Sequence, residues 1–342
     1  MNCIHCGSPT RQTGQTRYRT EHYCPCCRRQ FFIAASLPDE PRGISFTYWN
    51  HQGKADKLIE ALSPKYTPDI TEGARERARF MLTDNDVRGR VPQLERAKKL
   101  GVQSFLVYPH TARPSMINDN WPAWEGTAAQ FVVNEYHAEV LRGYGYKKPL
   151  ESIGWTLCPI REFRETPARE VLFMPIHPRN APIDRKVNKE AFDRLVALGG
   201  AINLTVRYVG DLIDNGIPEV GGVTYIQGRM NQNFAEIDAA DVVVGHQTAA
   251  WIAVARGVPT VMMAEDMPTH FRTWANEYVN TKSWDKVSHL FRYPLDILAE
   301  DDTMAILTRA ARSDSEIADW RRRMIGEAFD PQRFVEIVER YL

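Results

Sequence analysis

The sequence predicts an α/β protein with two Rossmann-like parallel-sheet domains that face a cleft, preceded by a small cysteine-rich segment. Three observations lead to this fold class. The chain has 342 residues, more than one average domain holds. From residue 44 onward, β-rich segments alternate with amphipathic segments of helical length, which favours parallel strands with right-handed crossovers. Five of the six cysteines lie within the first 27 residues, outside that pattern.

Composition and charge narrow the class of protein further. The hydrophobic content of 43% and the charged content of 25% are ordinary for a globular protein. The formal net charge is zero, so no global field draws the chain to nucleic acid or to a membrane. No apolar run approaches the length of a membrane span, and the N-terminus lacks the pattern of a secretory signal. Because clustered cysteines suit a reducing compartment, we expect a cytoplasmic protein.

Residues 1–35 predict a zinc ribbon. Two Cys-x-x-Cys pairs supply four thiolates that can surround one tetrahedral Zn²⁺: Cys3, Cys6, Cys24 and Cys27. Between the pairs, the segment "RQTGQTRYRTEHY" alternates in character around Gly14, as a short hairpin would. Cys26 competes with Cys27 for the second pair, and the repeated spacing favours Cys27. Residues 36–43 contain two prolines and a glycine, which predicts a linker to the main body.

The role of this ribbon is open between three interpretations. Residues 1–33 carry five arginines against the single acid Glu21, a balance of +4. Four thiolates and Zn²⁺ add −2, which leaves about +2, a mild charge for a phosphate-binding module. Nucleic-acid contact, docking of a protein or substrate, and a purely structural cap all fit this charge.

The N-terminal domain is predicted over residues 44–165. Leu58, Ile59 and Leu62 lie on one face of a helix over 54–62. The other predicted elements are strands at 44–49, 78–83 and 104–110, a helix at 91–101, and a strand–helix unit at 130–146.

The C-terminal domain is predicted over residues 166–319 and repeats the same rhythm. Its predicted elements are a strand and polar loop at 170–180, helices at 189–200 and 233–240, strands at 204–210 and 223–228, and a strand–turn–helix–strand unit at 239–263. In open parallel sheets, ligands bind at the carboxyl ends of the strands, so the loops that follow these strands are the candidate binding segments.

The second half resembles the C-terminal nucleotide-binding domain of GT-B glycosyltransferases, through "TVRYVG" and "VTYIQGRMNQNFAEIDAADVVVGHQTAAWIAVARGVPTVMM". "TDNDVRGRVPQLERAKKLGVQSFLVYPH" and "AAQFVVNEYHAEVLRGYGYKKPLESIGW" resemble units of the N-terminal domain. Residues 320–342 are similar to the terminal helices that return to that domain. The resemblance covers residues 44–342 and extends to CDP-glycerol glycerophosphotransferases and UDP-N-acetylglucosamine 2-epimerases. It implies a nucleotide-activated sugar as donor.

The turn "GHQTA" is the main candidate for donor binding, and its chemistry supports this without the resemblance. Gly245 is expected to let the backbone turn closely, and Thr248 to cap the following helix. Helix amides and the helix dipole then favour a diphosphate, so His246, Gln247 and Thr248 are donor-site candidates. The alternative is that Thr248 is only a cap and His246 an exposed turn residue.

The resemblance adds further donor candidates and one departure. Family members use a histidine or arginine in the loop after the first strand of this domain, which points to His177 and Arg179 in "IHPRN"; Arg229 can reach the same phosphates. Ordinary structural roles for all three stay open. Many nucleotide-sugar transferases also place a carboxylate in the following helix to bind the ribose, whereas residues 249–253 here contain no acid.

An inverting transferase needs a base for the acceptor hydroxyl. The candidates at ends of strands are four: Asp84, Asp86, His51 and His110. Glu135 and His137, early in the next helix, are weaker candidates, because a lone histidine there more often serves packing. "DND" resembles the metal-binding Asp-x-Asp of GT-A enzymes, which a GT-B body does not need. Trp121 and Trp124 suit stacking on an acceptor or packing at the domain edge.

Three functions are therefore carried forward. The first is a glycosyltransferase that moves a sugar from a nucleotide-activated donor to an acceptor, with a modified base in DNA as the favoured acceptor because of the ribbon. The second is related epimerase or glycerophosphotransferase chemistry on the same fold. The third is a module without catalysis that binds nucleic acid or a partner, which the missing helix carboxylate supports.

Overall fold

The computed structural model describes residues 6, 8–15, 19–26, 29–34, 45–49, 56–69, 78–84, 94–107, 127–143, 146–176, 182–228, 234–263, 293–299, 301–312 and 314–342. Within these ranges the chain forms three β-sheets. No helix in these ranges combines the length and the apolar character that a membrane span requires.

The N-terminal segment forms a small antiparallel sheet. Its strands are β1 (Arg11–Gln15), β2 (Arg19–Cys24) and β3 (Arg29–Ala34), in the order β1-β2-β3. The predicted hairpin between the cysteine pairs is confirmed by the antiparallel pairing of β1 with β2. Gly14 lies within β1 at a shift of register, and not in the turn.

The second sheet is built from six strands, all of them parallel to their neighbours. They are β4 (Ser45–Trp49), β5 (Thr67–Asp69), β6 (Phe80–Asp84), β7 (Gln103–Val107), β8 (Ala129–Val132) and β9 (Leu150–Ser152). The strand order is β5-β4-β6-β7-β8-β9. The helices between them are α1 (Asp56–Leu62), α2 (residues 94–99) and α3 (Glu135–Gly143).

The third sheet has five strands, again all parallel. They are β10 (Glu170–Met174), β11 (Asn203–Tyr208), β12 (Thr224–Gln227), β13 (Val242–Gly245) and β14 (Thr260–Met262), in the order β12-β11-β10-β13-β14. The remaining helices are α4 (Pro182–Val196), α5 (Phe234–Ala239), α6 (Gln247–Ala255), α7 (Thr303–Ala311), α8 (Ser315–Met324) and α9 (Pro331–Tyr341).

Two all-parallel sheets confirm the prediction of two α/β domains of parallel-sheet type. The predicted boundaries differ most at α4, which begins at Pro182, well before the predicted residue 189, and no element was predicted where β5, β9 and α7 lie. Proline suits the first position of a helix, because its fixed φ is helical and its missing N–H is not needed there.

Both faces of the third sheet are covered. Val242 and Val244 of β13 pack in one apolar cluster with α4 and α7, whereas Val243 packs in another with Ile237 of α5. Helices on both faces are the usual consequence of parallel strands joined by crossovers. The strands are therefore almost uniformly apolar, and their polar loops lie at the edges.

The last helix completes the core of the six-stranded sheet. Phe80, Phe105 and Phe131 lie side by side on neighbouring strands, with ring centroids 5.8 and 5.4 Å apart. Phe334 of α9 packs edge-on against Phe131 at 5.1 Å, and all four rings are fully buried. The C-terminal helix thus belongs to the core of the sheet that is formed by the first half of the chain.

The returning chain meets the outgoing chain at Trp155. Trp155 N donates to Glu327 O at 2.8 Å, and Phe329 N donates to Trp155 O at 3.3 Å. Gly154 has a φ of +85°, and a Cβ at this position would overlap the carbonyl oxygen of Ala328. Two backbones can approach this closely only because residue 154 has no side chain.

A second close approach fixes the C-terminus of α6. Gly257 has a φ of +73°, and a Cβ there would overlap the Glu162 carbonyl oxygen. The crossover segment also donates hydrogen bonds to this point, from Arg161 N to Ala255 O at 2.9 Å and from Arg164 N to Gly257 O at 3.0 Å. Gly257 therefore ends the helix and also receives the crossover.

Replacing Gly257 with alanine should destabilise the protein strongly, because the added methyl meets the Glu162 backbone as well as an unfavourable φ. Gly222→Ala is the matched control, since Gly222 has a φ of +83° and no atom within 4 Å of a Cβ. We expect the free energy of unfolding to fall by about 1–2 kcal/mol in Gly222→Ala. In Gly257→Ala it should fall by about 2 kcal/mol more than that. Urea unfolding of both variants measures the difference, and equal losses would contradict the packing described.

Candidate functional site

The N-terminus of α6 lies at the carboxyl edge of the third sheet. β13 ends at Gly245, between β10 and β14, and α6 begins two residues later at Gln247. Met263 N donates to Gly245 O at 3.1 Å, which ties the end of β13 to the residue after β14. The turn "GHQTA" is thus held from both sides at the edge where parallel sheets bind ligands.

Gly245 has no steric reason within the described residues to be glycine. Its φ is not positive, and a Cβ would lie 3.7 Å from Ala250 and Met174, which is ordinary van der Waals contact. The expectation that the turn itself needs glycine is therefore wrong. What remains is the space beside the backbone, which a Cβ would reduce and which a ligand can use.

The cap of α6 also differs from the expectation. His246 is the N-cap residue, with φ −130° and ψ 142°, and its side chain makes no capping bond. Thr248 is the second residue within the helix and not its cap. The first turn of α6 contains no acidic residue, so the positive end of the helix dipole is not offset by the helix's own side chains.

The His246 ring is fixed by a hydrogen bond to the neighbouring strand end. His246 is 8% exposed, and its Nδ1 lies 2.9 Å from Met263 O. Because a carbonyl can only accept, we assign the proton to Nδ1, which makes Nε2 the acceptor atom of the neutral ring. The expectation of an exposed turn histidine does not hold, since this ring is buried and oriented.

The structure places only part of the predicted site. Backbone positions alone are described for Asp84, the last residue of β6, and for Gln247, the first residue of α6. Asp84 pairs with Val107 at the carboxyl edge of the second sheet. The remaining predicted residues lie outside the described ranges: His51, Asp86, His110, Trp121, Trp124, His177, Arg179 and Arg229.

His137 has a packing role. It is 1% exposed, and its Nε2 donates to Met324 O of α8 at 3.0 Å. Burial lowers the pKa of His137 to about 4, so the ring is neutral near pH 7. Glu135, the other weak candidate, is exposed and forms an ion pair with Arg142.

Sequence reasoning missed the ion pair that joins α5 to the end of α6. Asp238 accepts from both Nε and Nη2 of Arg256, with Nε to Oδ1 at 2.6 Å, and Arg161 of the crossover lies 3.1 Å from the same carboxylate. The hydrogen bond from Arg256 lowers the pKa of Asp238. The Arg256 guanidinium also lies 4.5 Å from the Phe234 ring centroid. No local spacing rule connects residues this far apart, so the sequence carries no signal for this pair.

The cysteine-rich sheet brings two predicted zinc ligands together. Cys6 Sγ and Cys24 Sγ are 3.5 Å apart, and Cys24 is fully buried. Cys26 is exposed, whereas Cys3 and Cys27 lie outside the described residues. Among the side chains that are described, no group of three or more His, Cys, Asp or Glu residues is placed to hold a metal ion.

Comparison with known proteins identifies the fold. The glycotransferase of kitacinnamycin aligns with a TM-score of 0.52 at 15% identity, over 87% of this chain and 98% of that one. The S. aureus MnaA–UDP co-structure gives 0.53 at 12%, over 87% and 96%. The spinosyn forosaminyltransferase SpnP gives 0.53 at 10%, over 87% and 98%. No protein-family model matches the chain, and no curated protein matches its sequence.

These likenesses show the fold. The two parallel-sheet domains fit the GT-B fold, which confirms this part of the predicted fold class, whereas the zinc ribbon stays a prediction. At identities of 10–15%, shared fold does not establish shared chemistry. Function must therefore be argued from the site.

Protein stability should fall as the pH drops from about 6.5 to 4, because His137 has a lower pKa when folded than when unfolded. As the pH falls, His137 takes up a proton in the unfolded chain at a higher pH than in the folded chain. The contribution of His137 to the free energy of unfolding is therefore complete above pH 6.5 and is lost below it. The shift is worth about 3 kcal/mol. His137→Gln can keep the bond to Met324 O without titrating, and should flatten this part of the stability curve.

Unfolding free energies measured between pH 8 and 4 for both proteins test this expectation. The two proteins should have similar stability at pH 8, where neither side chain is charged. Parallel curves down to pH 4 would show that His137 is not the titrating group.

Proposed function

We propose that the protein is a glycosyltransferase that takes its sugar from a nucleotide-activated donor, with the donor diphosphate bound at the N-terminus of α6. The observation that carries this proposal is Gly245, a glycine that the chain's own packing does not require. A glycine beside a helix N-terminus at the carboxyl edge of a parallel sheet gives a phosphate access to backbone amides.

Each residue of the turn has a role in this proposal. Gly245 provides space, the amides at the start of α6 donate to phosphate oxygens, and the Thr248 hydroxyl adds a donor from the first turn. The His246 ring, through its bond to Met263 O, holds the turn in place. His177, Arg179 and Arg229 are proposed to neutralise the charge that develops on the departing diphosphate.

Three positions of α6 are too buried to carry an acid for the ribose. Trp251 is 3% exposed and packs edge-on against Trp320 at 5.4 Å, while Ala250 and Ala253 are fully buried. A carboxylate at these positions would be buried without a partner. We therefore propose that the ribose hydroxyls are held by residues outside α6.

On the acceptor side, the proposal keeps Asp84, Asp86, His51 and His110 as alternatives for the base. An inverting transfer needs one of them to accept the hydroxyl proton as the sugar–acceptor bond forms and the sugar–phosphate bond breaks. For the acceptor we propose a modified base in DNA that carries a hydroxyl group, since the cysteine-rich sheet with its excess of arginine precedes the main body of the chain. Mutation of Asp84 to Asn separates the first alternative from the others.

Binding of nucleoside diphosphates tests the donor site. Isothermal titration with UDP, CDP, GDP and TDP should detect one that binds, and Gly245→Ala should weaken it at least about tenfold because the methyl occupies phosphate space. The melting temperature should be unchanged or slightly higher, since alanine fits this backbone. If none of the four nucleotides binds, or if the alanine variant binds equally well, the site is misplaced.

Product analysis tests the reaction. Incubation with nucleotide sugars and single-stranded DNA whose bases carry hydroxymethyl groups should give a glycosylated base and a nucleoside diphosphate. A new stereoisomer of the nucleotide sugar, formed without acceptor, would instead show epimerase chemistry. A protein that binds a nucleotide but forms neither a glycosylated base nor a new stereoisomer would instead be a binding module.

We also propose a structural Zn²⁺ held by Cys3, Cys6, Cys24 and Cys27. The Cys6–Cys24 separation of 3.5 Å is close to the edge of a tetrahedral zinc–thiolate site, which is about 3.8 Å for Zn–S bonds of about 2.3 Å. The metal would hold the ends of the small sheet together and perform no step of the transfer.

Metal content tests this proposal. The purified protein should contain about one zinc per chain, and Cys24→Ser should lose it. Cys158→Ser is the matched control, because Cys158 is equally buried but bonds to the Trp155 indole in the crossover. Cys26→Ser should also retain zinc. If Cys26→Ser loses its zinc, the fourth ligand is Cys26 and not Cys27. If the wild-type protein contains no zinc, the proposed site is wrong.

A further inference from the structure

Two buried carboxamides hold the carboxyl ends of β10 and β11. Asn188 of α4 and Asn215 are each 1% exposed. Asn188 Oδ1 accepts from Ile176 N at 2.8 Å, and its Nδ2 donates to Ile176 O at 3.0 Å. The same Nδ2 donates to Asn215 O at 3.0 Å. One side chain therefore uses both of its N–H groups and binds both backbone polar groups of Ile176.

Asn215 fixes the turn that follows β11. Its Nδ2 donates to Val209 O at 3.0 Å and to Asp211 O at 2.7 Å, which closes the turn on itself. Gly216 then packs on α4, where a Cβ would lie 2.8 Å from Arg185 O. Through Asn188, this closed turn and the end of β10 are joined to one helix.

A buried polar residue at position 188 lowers the stability of the protein unless its hydrogen bonds compensate for the loss. Asparagine is a poor helix former, and its neighbours on the same face of α4, Ala191 and Phe192, are buried and apolar. An apolar residue would serve packing at this position. The bidentate bond to Ile176 gives a different benefit, because it fixes a strand end in one orientation.

We propose that Asn188 is a positioning residue for donor binding, which it serves by fixing Ile176 at the end of β10, the strand whose Met174 pairs with Gly245 of the proposed donor site. The inference rests on the proposed function. Binding and catalytic groups must be held within fractions of an ångström, and supporting hydrogen bonds supply that precision. Asn188 touches no donor atom itself and acts through the backbone at the end of β10.

Asn188→Asp is the sharpest variant for the test. It keeps the shape and the acceptor for Ile176 N, but it places an oxygen against the carbonyls of Ile176 and Asn215. The affinity for the bound nucleotide among UDP, CDP, GDP and TDP should fall at least about tenfold. Titrations are made at a temperature where circular dichroism shows every variant folded.

Asn215→Ala is the matched control. It removes two hydrogen bonds of an equally buried carboxamide, yet it leaves both bonds between Asn188 and Ile176 intact. Its affinity for the nucleotide should stay within about twofold of the wild type. Equal loss of affinity in the two variants, or no loss in Asn188→Asp, would overturn the proposal, because the role of Asn188 would then be stability alone.

Amide exchange of Ile176 gives a readout that needs no nucleotide. Asn188→Ala should accelerate exchange at Ile176 at least about tenfold, because its side-chain acceptor is lost, whereas Asn215→Ala should not. If the wild type binds none of the nucleotides, the proposed function fails, and exchange alone decides on Asn188. If amide exchange at Ile176 accelerates only in Asn188→Ala, Asn188 fixes Ile176 as proposed. If exchange at Ile176 is unchanged in that variant, the proposal is overturned.

Discussion

The backbone contact at Gly257 is the constraint on which the candidate site depends. α6 has nine residues, a length of about 14 Å. Its C-terminus is fixed by the crossover at Glu162, and its N-terminus forms the turn proposed for the donor. A rigid helix that is held at one end by backbone packing presents its other end in a defined position. The same short element therefore connects the crossover between the two halves of the chain to the proposed chemistry.

The composition of α6 is consistent with a helix that is packed on two sides. Small residues and one tryptophan allow it to lie between the third sheet and α8, where Trp251 meets Trp320. This packing buries positions 250, 251 and 253, where a charged side chain would lack a partner. The absence of an acid at these three positions is thus a consequence of their burial.

The alternation of the chain was sufficient to predict the parallel strands and most helices, because buried parallel strands are short apolar runs bounded by turns. It missed β5 and β9, which have three residues each and lie at the two edges of their sheet. Pro68 lies within β5, and proline is tolerated in a strand only at such an edge. Because proline is rare in strands, the sequence did not predict a strand here.

The site was less predictable than the fold. The turn at 245–248 was chosen as a candidate because glycine and threonine were expected to precede a helix, but the residue that caps the helix depends on local dihedral angles that the sequence does not reveal. Asn188 had a signal, since it is a polar residue on the apolar face of a helix. Asp238 and Arg256 had none, because their pairing is set only by how α5 lies against α6.

A structure with a bound nucleoside diphosphate tests the central claim most directly. The nucleotide that shows the strongest binding in solution would be soaked into crystals of the full chain. The account predicts that its diphosphate lies beside Gly245, within hydrogen-bond distance of the first amides of α6 and of the Thr248 hydroxyl. A diphosphate bound elsewhere, with residues 245–248 facing no ligand, would contradict it.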